Sequence, residues 1–576
     1  MAETPEPGMS DLVAALAVEL KRAAREVGAP EGFQPELERP RDLQHGDFAT
    51  NAALVLAGPL GQPARQVADR LVSVLDASAA GVVEVSVAGP GFINFRLGDA
   101  VYWRSLPQVL KADLSYGRSE AVSPRQINVE FVSANPTGPL HVAHGRGAAI
   151  GDAVASLLEW TGHGVVREFY VNDTGRQIDL LAASLEARFR QLAGEEAEVP
   201  DGGYMGEYVE ELAQRAAAEV GAEELAEMGG QERMQRFGEL STGWLREAQE
   251  RDLKDFRVHM EVFREESGLY ERGEVRDALE HLESEDLTYT EGGATWLRTT
   301  RFGDDKDRVL VKSDGSFTYF LPDIAYHVDK RSRGFDLAID VWGADHHGHV
   351  SRMRAALEAL GLPPDFFEAL IIQLVTVMRA GEEVRMSKRA GQFVTLRELF
   401  EETGVDVARY FFLMRRAEVP MSFDLDLALD TSEANPVYKI QYAHARMCSV
   451  FKRAGVEAES VDASEADLAE LARESERELA KSLLRFPEVV RNAAQARAPY
   501  QVCSYLEEVA GLVNAWYHEG NLDPSLRVIA EGPARAGRLA LARAVQITLR
   551  NGLELLGVSA PRRMVREQET ERTPVP

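Results

Sequence analysis

The fold is decided by the stretch Glu130-Phe131-Val132-Ser133-Ala134-Asn135-Pro136-Thr137-Gly138-Pro139-Leu140-His141-Val142-Ala143-His144-Gly145-Arg146-Gly147. On its two sides, β-branched and aromatic residues predict strands over Gln126–Val132 and Val165–Val171. Asn-Pro and Gly-Pro pairs predict a loop, and apolar residues at helical spacing predict a helix from Gly147 to Thr161-Gly162. A strand, a loop, a helix and a second strand make a βαβ unit, so we expect a parallel sheet.

Two histidines, His141 and His144, stand at the entrance of this helix. The N–H groups and the dipole of a helix N-terminus attract phosphate. Two imidazoles three residues apart add donors on the same side of the helix. Gly138 has no side chain, so a flat base or a ribose could come close to the backbone. The pattern therefore indicates a phosphate-binding loop.

Other interpretations of this loop stay open. A His-x-x-His pair can be half of a metal site, or simply two capping histidines. Gly145, Gly147 and Gly151 also resemble a dinucleotide fingerprint that has one residue too many before its last glycine. That fingerprint should follow its strand directly, whereas a Pro-rich loop intervenes here, so dinucleotide binding is less favoured.

The stretch resembles the "HIGH" signature of class I aminoacyl-tRNA synthetases, and its wording up to His141 is similar to that of arginyl-tRNA synthetases. It departs from the family at Ala143, where glycine is usual. The resemblance implies a Rossmann-like catalytic domain with a parallel sheet, in which ATP contacts and the catalytic histidines come from Pro139, His141 and His144. It further implies that the amino acid is bound by Glu130, Ser133 and Asn135.

Tyr319 and Asp323 are four residues apart and would share a face at the start of a predicted helix. An aspartate at a helix start is often only a cap. In arginyl-tRNA synthetases the matching pair holds the amino acid, and the chemistry agrees. A planar guanidinium with five donors needs a carboxylate presented edge-on, and lysine cannot form the same fork. The resemblance thus assigns both residues to arginine binding.

Phe335–Trp342 predicts a buried strand, and Gly343-Ala344-Asp345-His346-His347-Gly348-His349 follows it. Three histidines and an aspartate are good metal ligands, so a metal site is the alternative interpretation. Their position at the carboxyl end of a strand instead favours a nucleotide site at the switch point of the sheet. The resemblance implies that Gly343, Asp345 and His346 lie near ATP, with His346 also near the arginine. We expect no resident metal.

Val384-Arg385-Met386-Ser387-Lys388-Arg389-Ala390-Gly391 resembles the "KMSKS" loop of class I synthetases. Negative charge builds on the α-phosphate and on pyrophosphate during adenylate formation, and a mobile ammonium would stabilise it. The resemblance implies that ATP is contacted by Arg385, Met386, Ser387 and Lys388. Lys388 is the predicted catalytic residue, and Arg385 replaces the usual first lysine.

Composition limits the classes of protein. A chain of 576 residues that is 45% hydrophobic can build three or more domains with real cores. Its net charge of −29 argues against nonspecific nucleic-acid binding, so a tRNA must meet local basic patches. Two cysteines, Cys448 and Cys503, exclude a disulfide framework and a Cys-based zinc module. Without a signal peptide or a membrane-spanning run, we expect a cytoplasmic protein, and we expect a monomer.

We expect a multidomain α/β protein with an all-α end: an N-terminal α/β domain over 9–110, a catalytic domain over 120–396 and a helical bundle over 397–576. In the first, helices are predicted over Leu12–Val27 and Pro63–Leu75 and strands over Val82–Val87 and Phe92–Leu97. The Gly-Pro phrase between these strands can be an ordinary turn. The resemblance instead implies that Phe92 and Asn94 bind an unstacked base at the corner of tRNA.

Gly175–Glu285 is acidic and amphipathic, which predicts helices, and the resemblance implies that this region forms an insertion in the catalytic domain at about 176–290. The sheet is then expected to resume at Ala294–Leu297 and Arg308–Lys312, to end with Leu374–Arg379, and to be followed by helices only. Within those helices, an aromatic and cationic stripe is formed by Tyr438, Tyr442 and Arg446. Such a stripe is more often packing, but it could stack anticodon bases. The resemblance implies tRNA binding by these residues and by Asn435.

Taken together, the resemblance implies ATP-dependent ligation of L-arginine to tRNA(Arg) through an arginyl-adenylate, with Mg²⁺ accompanying the nucleotide. It also implies that tRNA must be bound before arginine is activated. Three alternatives stay open: a class I synthetase for another amino acid, a catalytically silent tRNA-binding protein on the same scaffold, and a dehydrogenase.

Overall fold

The computed structural model describes residues 9–40, 45–384 and 394–564. Its N-terminal part is a small α/β domain with an antiparallel sheet in the order β1-β3-β2. The elements are α1 (Met9–Glu26), β1 (Phe48–Thr50), α2 (Ala52–Leu60), α3 (Ala64–Val74), β2 (Val82–Ala88), β3 (Phe92–Leu97) and α4 (Asp99–Ala112). Both predicted helices and both predicted strands are confirmed. The pattern did not predict α2, since Gly58 and Pro59 lie inside it.

The βαβ unit is confirmed by β4 (Gln126–Glu130), α5 (Val142–Trp160) and β5 (Gly164–Val171). The two strands pair in parallel, from Gln126 beside Gly164 to Glu130 beside Glu168. The helix begins at Val142 and not at Gly147, because His141 caps it. Most of α5 is buried, so it serves as the central helix of the molecule.

The insertion is mainly helical and has its own apolar core, which includes Leu181, Phe237 and Trp244. Its elements are α6 (Arg176–Leu192), α7 (Glu207–Ala216), α8 (Ala222–Glu227) and α9 (Gly230–Asp255), followed by β6 (Val262–Glu265). The prediction of helices throughout this region is wrong at β6, which pairs in parallel with β5. Four residues are too few to show a strand pattern inside an acidic segment.

A separate antiparallel sheet follows, in the order β7-β8-β9. The elements here are α10 (Glu266–Glu271), α11 (Glu274–Ser284), β7 (Thr288–Glu291), β8 (Ala294–Leu297) and β9 (Arg308–Val311). Both predicted strands exist, but the expectation that they resume the parallel sheet is wrong. The turn between β7 and β8 and the connection between β8 and β9 are both shorter than the crossover that parallel neighbours need.

The parallel sheet is completed by strands that come later in the chain. The elements are α12 (Phe320–Ser332), β10 (Leu337–Gly343), α13 (His347–Ala359) and β11 (Phe367–Ile372). The five parallel strands lie in the order β11-β10-β4-β5-β6. Since β4 connects towards β5 and β10 towards β11, the switch point lies between β4 and β10. The loops after Glu130 and Gly343 meet there.

After the parallel sheet the chain forms two strands, β12 and β13, and then a helical bundle that contains one further strand, β14. The elements are β12 (Val375–Arg379), β13 (Glu382–Glu383), α14 (Leu396–Thr403), α15 (Val405–Leu413), β14 (Met421–Asp424), α16 (Leu425–Ala428), α17 (Pro436–Ala454), α18 (Glu465–Ala469), α19 (Glu474–Leu484), α20 (Phe486–Gln495), α21 (Tyr500–Leu522) and α22 (Arg535–Leu555). The prediction of helices only is wrong at β14, which pairs in parallel with β12. The prediction that Leu374–Arg379 ends the sheet is therefore also wrong, because β12 belongs to a separate three-stranded sheet in the order β13-β12-β14.

The small N-terminal domain packs against the C-terminal bundle. Ion pairs join Asp47 to Lys481 at 3.2 Å and Asp99 to Arg477 at 3.0 Å. The buried hydroxyl of Tyr116 donates to the carbonyl of Leu483 at 2.8 Å. Within the described ranges, no helix combines the length and the apolar character that crossing a bilayer requires.

Candidate active site

The two histidines lie at the N-terminus of α5, as predicted. His141 Nδ1 accepts a hydrogen bond from Ala143 N at 3.2 Å, and His144 Nδ1 accepts one from His141 N at 3.3 Å. The rings stack with their centroids 3.7 Å apart. Because each Nδ1 is an acceptor, the proton of each neutral ring is on Nε2. Capping and phosphate binding are therefore compatible, since they use different nitrogens of the same rings.

The glycines of this loop serve packing and not a dinucleotide. A Cβ at Gly145 would come within 2.6 Å of Leu396, and one at Gly151 would overlap the ring of Phe131. Arg146 is fully buried, and its guanidinium donates to the carbonyls of residues 373, 416 and 419. In the direction of a Cβ, Gly138 is approached by the hydroxyl of Tyr208 of the insertion at 3.4 Å.

The turn after β4 holds two non-glycine residues at positive φ, Val132 at 70° and Ser133 at 38°. Such a conformation is unusual for a β-branched residue and must be held by its surroundings. Ser133 Oγ donates to Glu130 Oε1 at 2.8 Å and accepts from Tyr170 N at 3.1 Å. Asn135 Nδ2 donates to Gln177 Oε1 at 2.6 Å. The turn is thus fixed before any substrate binds.

Glu130 is buried at the end of β4 and pairs with an internal cation. Its Oε2 accepts from Lys330 Nζ at 2.6 Å, and the same ammonium donates to Asp340 Oδ1 at 2.7 Å. Burial raises the pKa of Glu130, and the ammonium opposes that rise. The sequence pattern gave no sign of Lys330, which lies 200 residues away.

Three of the predicted residues line one cavity of about 520 Å³. It is bounded by Tyr319, Asp323 and His346, together with Arg308, Val309, Thr318, Phe320, His349 and Arg352. Tyr319 is 71% exposed at the start of α12, and Asp323 lies in the first turn of that helix. His349 Nε2 lies 3.1 Å from Asp323 Oδ2. Sequence analysis did not select His349, although it belongs to the histidine phrase after β10.

Glu266 is a buried carboxylate that sequence analysis missed. It is 5% exposed at the start of α10, and its Oε1 accepts from Thr174 Oγ1 at 3.2 Å. Burial raises the pKa of Glu266, and the neighbouring carboxylates of Asp323 and Asp173 add to that rise. Among the residues that the structure describes, no cation pairs with Glu266. The signal that could have identified it is its place directly after β6, at the carboxyl edge of the sheet.

Tyr170 connects the two groups of acidic residues. Burial raises the pKa of this phenol, and the carboxylates of Glu266, Asp323 and Glu130 act in the same direction. Three carboxylates thus act on one tyrosine at the end of β5, next to the turn that follows β4. Two of them are the predicted arginine residues Glu130 and Asp323.

The phrase after β10 lies at the expected edge of the sheet. Gly343 ends that strand, and Asp345 and His346 are exposed beyond it, with His346 Nε2 3.6 Å from Asp345 Oδ2. In the part of the chain that the structure describes, no three His, Cys, Asp or Glu side chains form a metal-binding group.

The predicted ATP residues Arg385, Met386, Ser387 and Lys388 lie outside the described residues. Val394, the first described residue after this segment, contacts the histidine loop directly. Val394 O accepts a hydrogen bond from Val142 N at 3.4 Å, and Leu140 O accepts one from Leu396 N at 2.8 Å. The chain therefore returns to the entrance of α5 immediately after this segment. Pro139 is half-buried in the same loop.

The residues predicted to bind the corner of tRNA lie on β3. Phe92 is half-buried at the start of this strand, where it is paired with Ala88. Asn94 is 6% exposed at the centre of the sheet. Phe92 is thus the more accessible of the two.

The predicted stripe on α17 exists and is packed. The rings of Tyr438 and Tyr442 stack with centroids 5.8 Å apart. The guanidinium of Arg446 lies between Tyr442 and Tyr517, 4.6 and 4.5 Å from their ring centroids. Asn435 is 2% exposed and caps the helix, and its amide also donates to two carbonyls. Its side chain is therefore committed to holding the start of α17, which corrects its assignment as a direct tRNA contact.

Comparison with known proteins agrees with this geometry along the chain. Three family models match: the arginyl tRNA synthetase N terminal domain over residues 10–97, the catalytic domain of class I (R) tRNA synthetases over 105–417, and the DALR anticodon binding domain over 440–564. The three matches follow the order of the small domain, the parallel sheet and the bundle.

Individual relatives cover nearly the whole chain. An arginine–tRNA ligase of Bacillus pumilus is 46% identical over 92% of this chain and 94% of its own length. One of Bacillus subtilis is 46% identical over 95% of this chain and 98% of its own length. The solved arginyl-tRNA synthetase of Thermus thermophilus superposes with a TM-score of 0.74 at 25% identity, covering 96% of this chain and all of that one.

Proposed function

Because this chain belongs to the arginyl-tRNA synthetases, and is an ATP-using ligase that charges tRNA with arginine, we propose how its residues divide the reaction. The guanidinium of arginine binds among the carboxylates around Tyr170. The triphosphate of ATP binds at the N-terminus of α5. The observation that supports the proposal is that Glu130 ends β4 and the histidine loop follows it to α5, so both proposed sites adjoin one loop at the carboxyl edge of the parallel sheet.

The arginine pocket is assigned to Asp323, Glu266 and Tyr319, with Glu130 and Ser133 at its inner end. Asp323 is half-buried and Glu266 is buried, and a guanidinium between the two carboxylates would relieve their mutual repulsion. The guanidinium of arginine has five N–H donors in a planar fork and can bind two carboxylates at once, whereas the ammonium of lysine is a compact point charge. His346 and the backbone near Asn135 complete the pocket.

Adenylate formation then needs orientation and charge stabilisation. The carboxylate of arginine attacks the α-phosphorus of ATP, and pyrophosphate leaves. The Nε2–H groups of His141 and His144 donate to phosphate oxygens beside the helix N-terminus. Pro139, Gly343 and Asp345 border the nucleotide. The terminal ribose of tRNA afterwards takes the arginyl group from the adenylate.

Lys388 is assigned to the leaving pyrophosphate, with Arg385, Met386 and Ser387 beside it. Lys388 lies six residues before Val394, and six residues of extended chain span about 20 Å. Val394 is bonded to the histidine loop, which brings Lys388 within reach of the same triphosphate. Mg²⁺ would be held mainly by phosphate oxygens and water, which suits a site without a carboxylate cage of its own.

The tRNA is assigned to the two outer domains. Phe92, with Asn94 beneath it, faces the corner of the tRNA, and Tyr438, Tyr442 and Arg446 face the anticodon, while Asn435 positions their helix. We also propose domain limits of 9–110, 120–396 and 397–576, a monomeric state and a cytoplasmic location, and binding of tRNA before arginine activation.

The test is ATP–pyrophosphate exchange with each amino acid, run with and without a tRNA pool. We expect exchange with arginine, and only when tRNA is present. Exchange with lysine or glutamine in place of arginine would contradict the pocket assignment. Exchange with arginine in the absence of tRNA would contradict the order of binding alone.

A further inference from the structure

Lys330 is a fully buried lysine to which the proposed reaction assigns no part. It lies on α12, the helix whose first turn carries Asp323. Its ammonium bonds to Glu130 and Asp340, and Asp340 Oδ2 lies 2.9 Å from His327 Nε2. His327 Nδ1 in turn lies 2.7 Å from the carbonyl oxygen of Asp323. A continuous set of polar contacts therefore connects the two ends of the arginine pocket beneath its floor.

The Lys330 ammonium contacts two buried carboxylates, those of Glu130 and Asp340, and their charge states depend on it to different degrees. Although burial acts to raise it, Lys330 and His327 hold the pKa of Asp340 at about 2. Burial raises the pKa of Glu130 in spite of Lys330, and the charge of Asp340 adds to that rise. Asp340 also lies beside His327, whereas Lys330 is the only cation that pairs with Glu130 among the described residues, so Glu130 is the member whose charge depends on the lysine.

We propose that Lys330 is a positioning residue for arginine: its buried ammonium orients the Glu130 carboxylate at the end of β4, keeps it charged, and thereby sets the affinity for the amino acid without touching it. This inference rests on the proposed function. The other charged or titratable groups that face Glu130 and its ammonium are His327 and Tyr326 from α12, Asp340 from β10, and Glu168 and Tyr170 from β5.

The same helix provides a matched control in Arg333. Its guanidinium donates to both oxygens of Glu168, at 2.6 and 2.8 Å. Glu168 is buried on β5, directly beside Glu130 in the register of the sheet. Arg333 also pairs with Asp329 on its own helix at 2.9 Å, and its side chain is partly exposed, whereas Lys330 is fully buried. Removing Arg333 therefore breaks ion pairs of α12, including the one to the next strand, and it leaves the Glu130 pair in place. A merely structural role of Lys330 predicts the same behaviour for both variants.

The experiment measures the KM for arginine in tRNA charging from pH 6.5 to 8.5, for wild type, Lys330→Met and Arg333→Met. Dividing the KM of each variant by the KM of wild type at the same pH cancels the effect of the titration of the substrate itself. For Lys330→Met we expect the ratio to be at least about tenfold larger at pH 6.5 than at pH 8.5, because an unpaired buried Glu130 is protonated at the lower pH. For Arg333→Met the ratio should not change with pH.

Two further variants secure the result. Glu130→Gln/Lys330→Met has no titrating carboxyl at this position and should give a pH-independent ratio. If Lys330→Met does not fold by circular dichroism, Lys330→Met/Asp340→Asn replaces it, since Glu130 is then the sole carboxylate left without the ammonium.

The outcomes separate the two claims. A pH-independent ratio for the lysine variant, or an equal pH dependence for Arg333→Met, would overturn the role of Lys330 while wild-type charging stays normal. Failure of the wild type to charge tRNA with arginine would contradict the function itself.

Discussion

The pocket around Asp323 and the N-terminus of α5 handle charge in opposite ways. The pocket gathers buried carboxylates, and Glu266 has no cation partner among the described residues. At the helix entrance, His141 and His144 use one nitrogen each to cap the helix and leave Nε2–H directed away from the capping contacts. One site is thus built on negatively charged side chains, and the other on hydrogen-bond donors and a helix dipole.

The difference follows the substrates. A guanidinium is a diffuse cation that binds strongly only to full negative charges in a dry site. A triphosphate carries its own excess charge and needs donors that are already oriented. Replacing residues in the pocket should therefore affect the binding of arginine, and replacing them at the helix entrance should affect the rate of the chemical step.

The largest effect is expected from Lys388→Ala. Losing an ammonium that stabilises developing charge should slow adenylate formation by about 100- to 1000-fold, while arginine binding changes little. Pre-steady-state formation of the adenylate, measured with tRNA present, gives the rate, and equilibrium dialysis gives the affinity. Equal losses in the rate of adenylate formation and in the affinity for arginine would contradict the assignment of Lys388 to the phosphate groups.

Asp323→Ala should come next, with the loss in KM and not in kcat. A guanidinium facing a missing carboxylate loses about 3–5 kcal/mol, which is a rise in KM of at least about 100-fold. The exposed Glu358 on α13 provides the control variant Glu358→Ala, which should charge tRNA like wild type. An unchanged KM for Asp323→Ala would place arginine elsewhere.

His144 tests the assignment of Nε2. His144→Asn should slow pyrophosphate exchange by about 10- to 100-fold, the range expected for one hydrogen bond to a charged group. Because the amide nitrogen of glutamine reaches the position of Nε2 and that of asparagine does not, His144→Gln should retain more activity. The reverse ranking would indicate that capping through Nδ1 is the main role.

The smallest effect is a pH dependence from Glu266. Its raised pKa means that the ionised fraction falls as the pH drops, so the KM for arginine should rise by about two- to fivefold between pH 7.5 and 6. Glu266→Gln should have a higher KM throughout and lack this rise. A wild-type KM that is flat over that range would show that Glu266 stays ionised or lies outside the pocket.

Much of the site could be predicted because its signals are local. The βαβ unit, the cap at His141 and the shared cavity of Tyr319 and Asp323 each depend on residues within a few positions of one another. The spacing of apolar residues and the positions of turn residues are sufficient to predict such local features.

What the sequence did not reveal is non-local. The pairing of Glu130 with Lys330 arises only when α12 packs across β4, and Glu266 acquires a role only because β6 joins the edge of the sheet. Likewise β14 is four residues long, and its partner β12 is reached through tertiary packing and not through a turn. Short strands and buried ion pairs are determined by neighbours that no sequence window contains.

The ion pairs and the Tyr116 hydroxyl that fasten the small N-terminal domain to the C-terminal bundle have a geometric consequence. The spacing between the two domains is set by these contacts. A partner that touches both of them must therefore match that spacing.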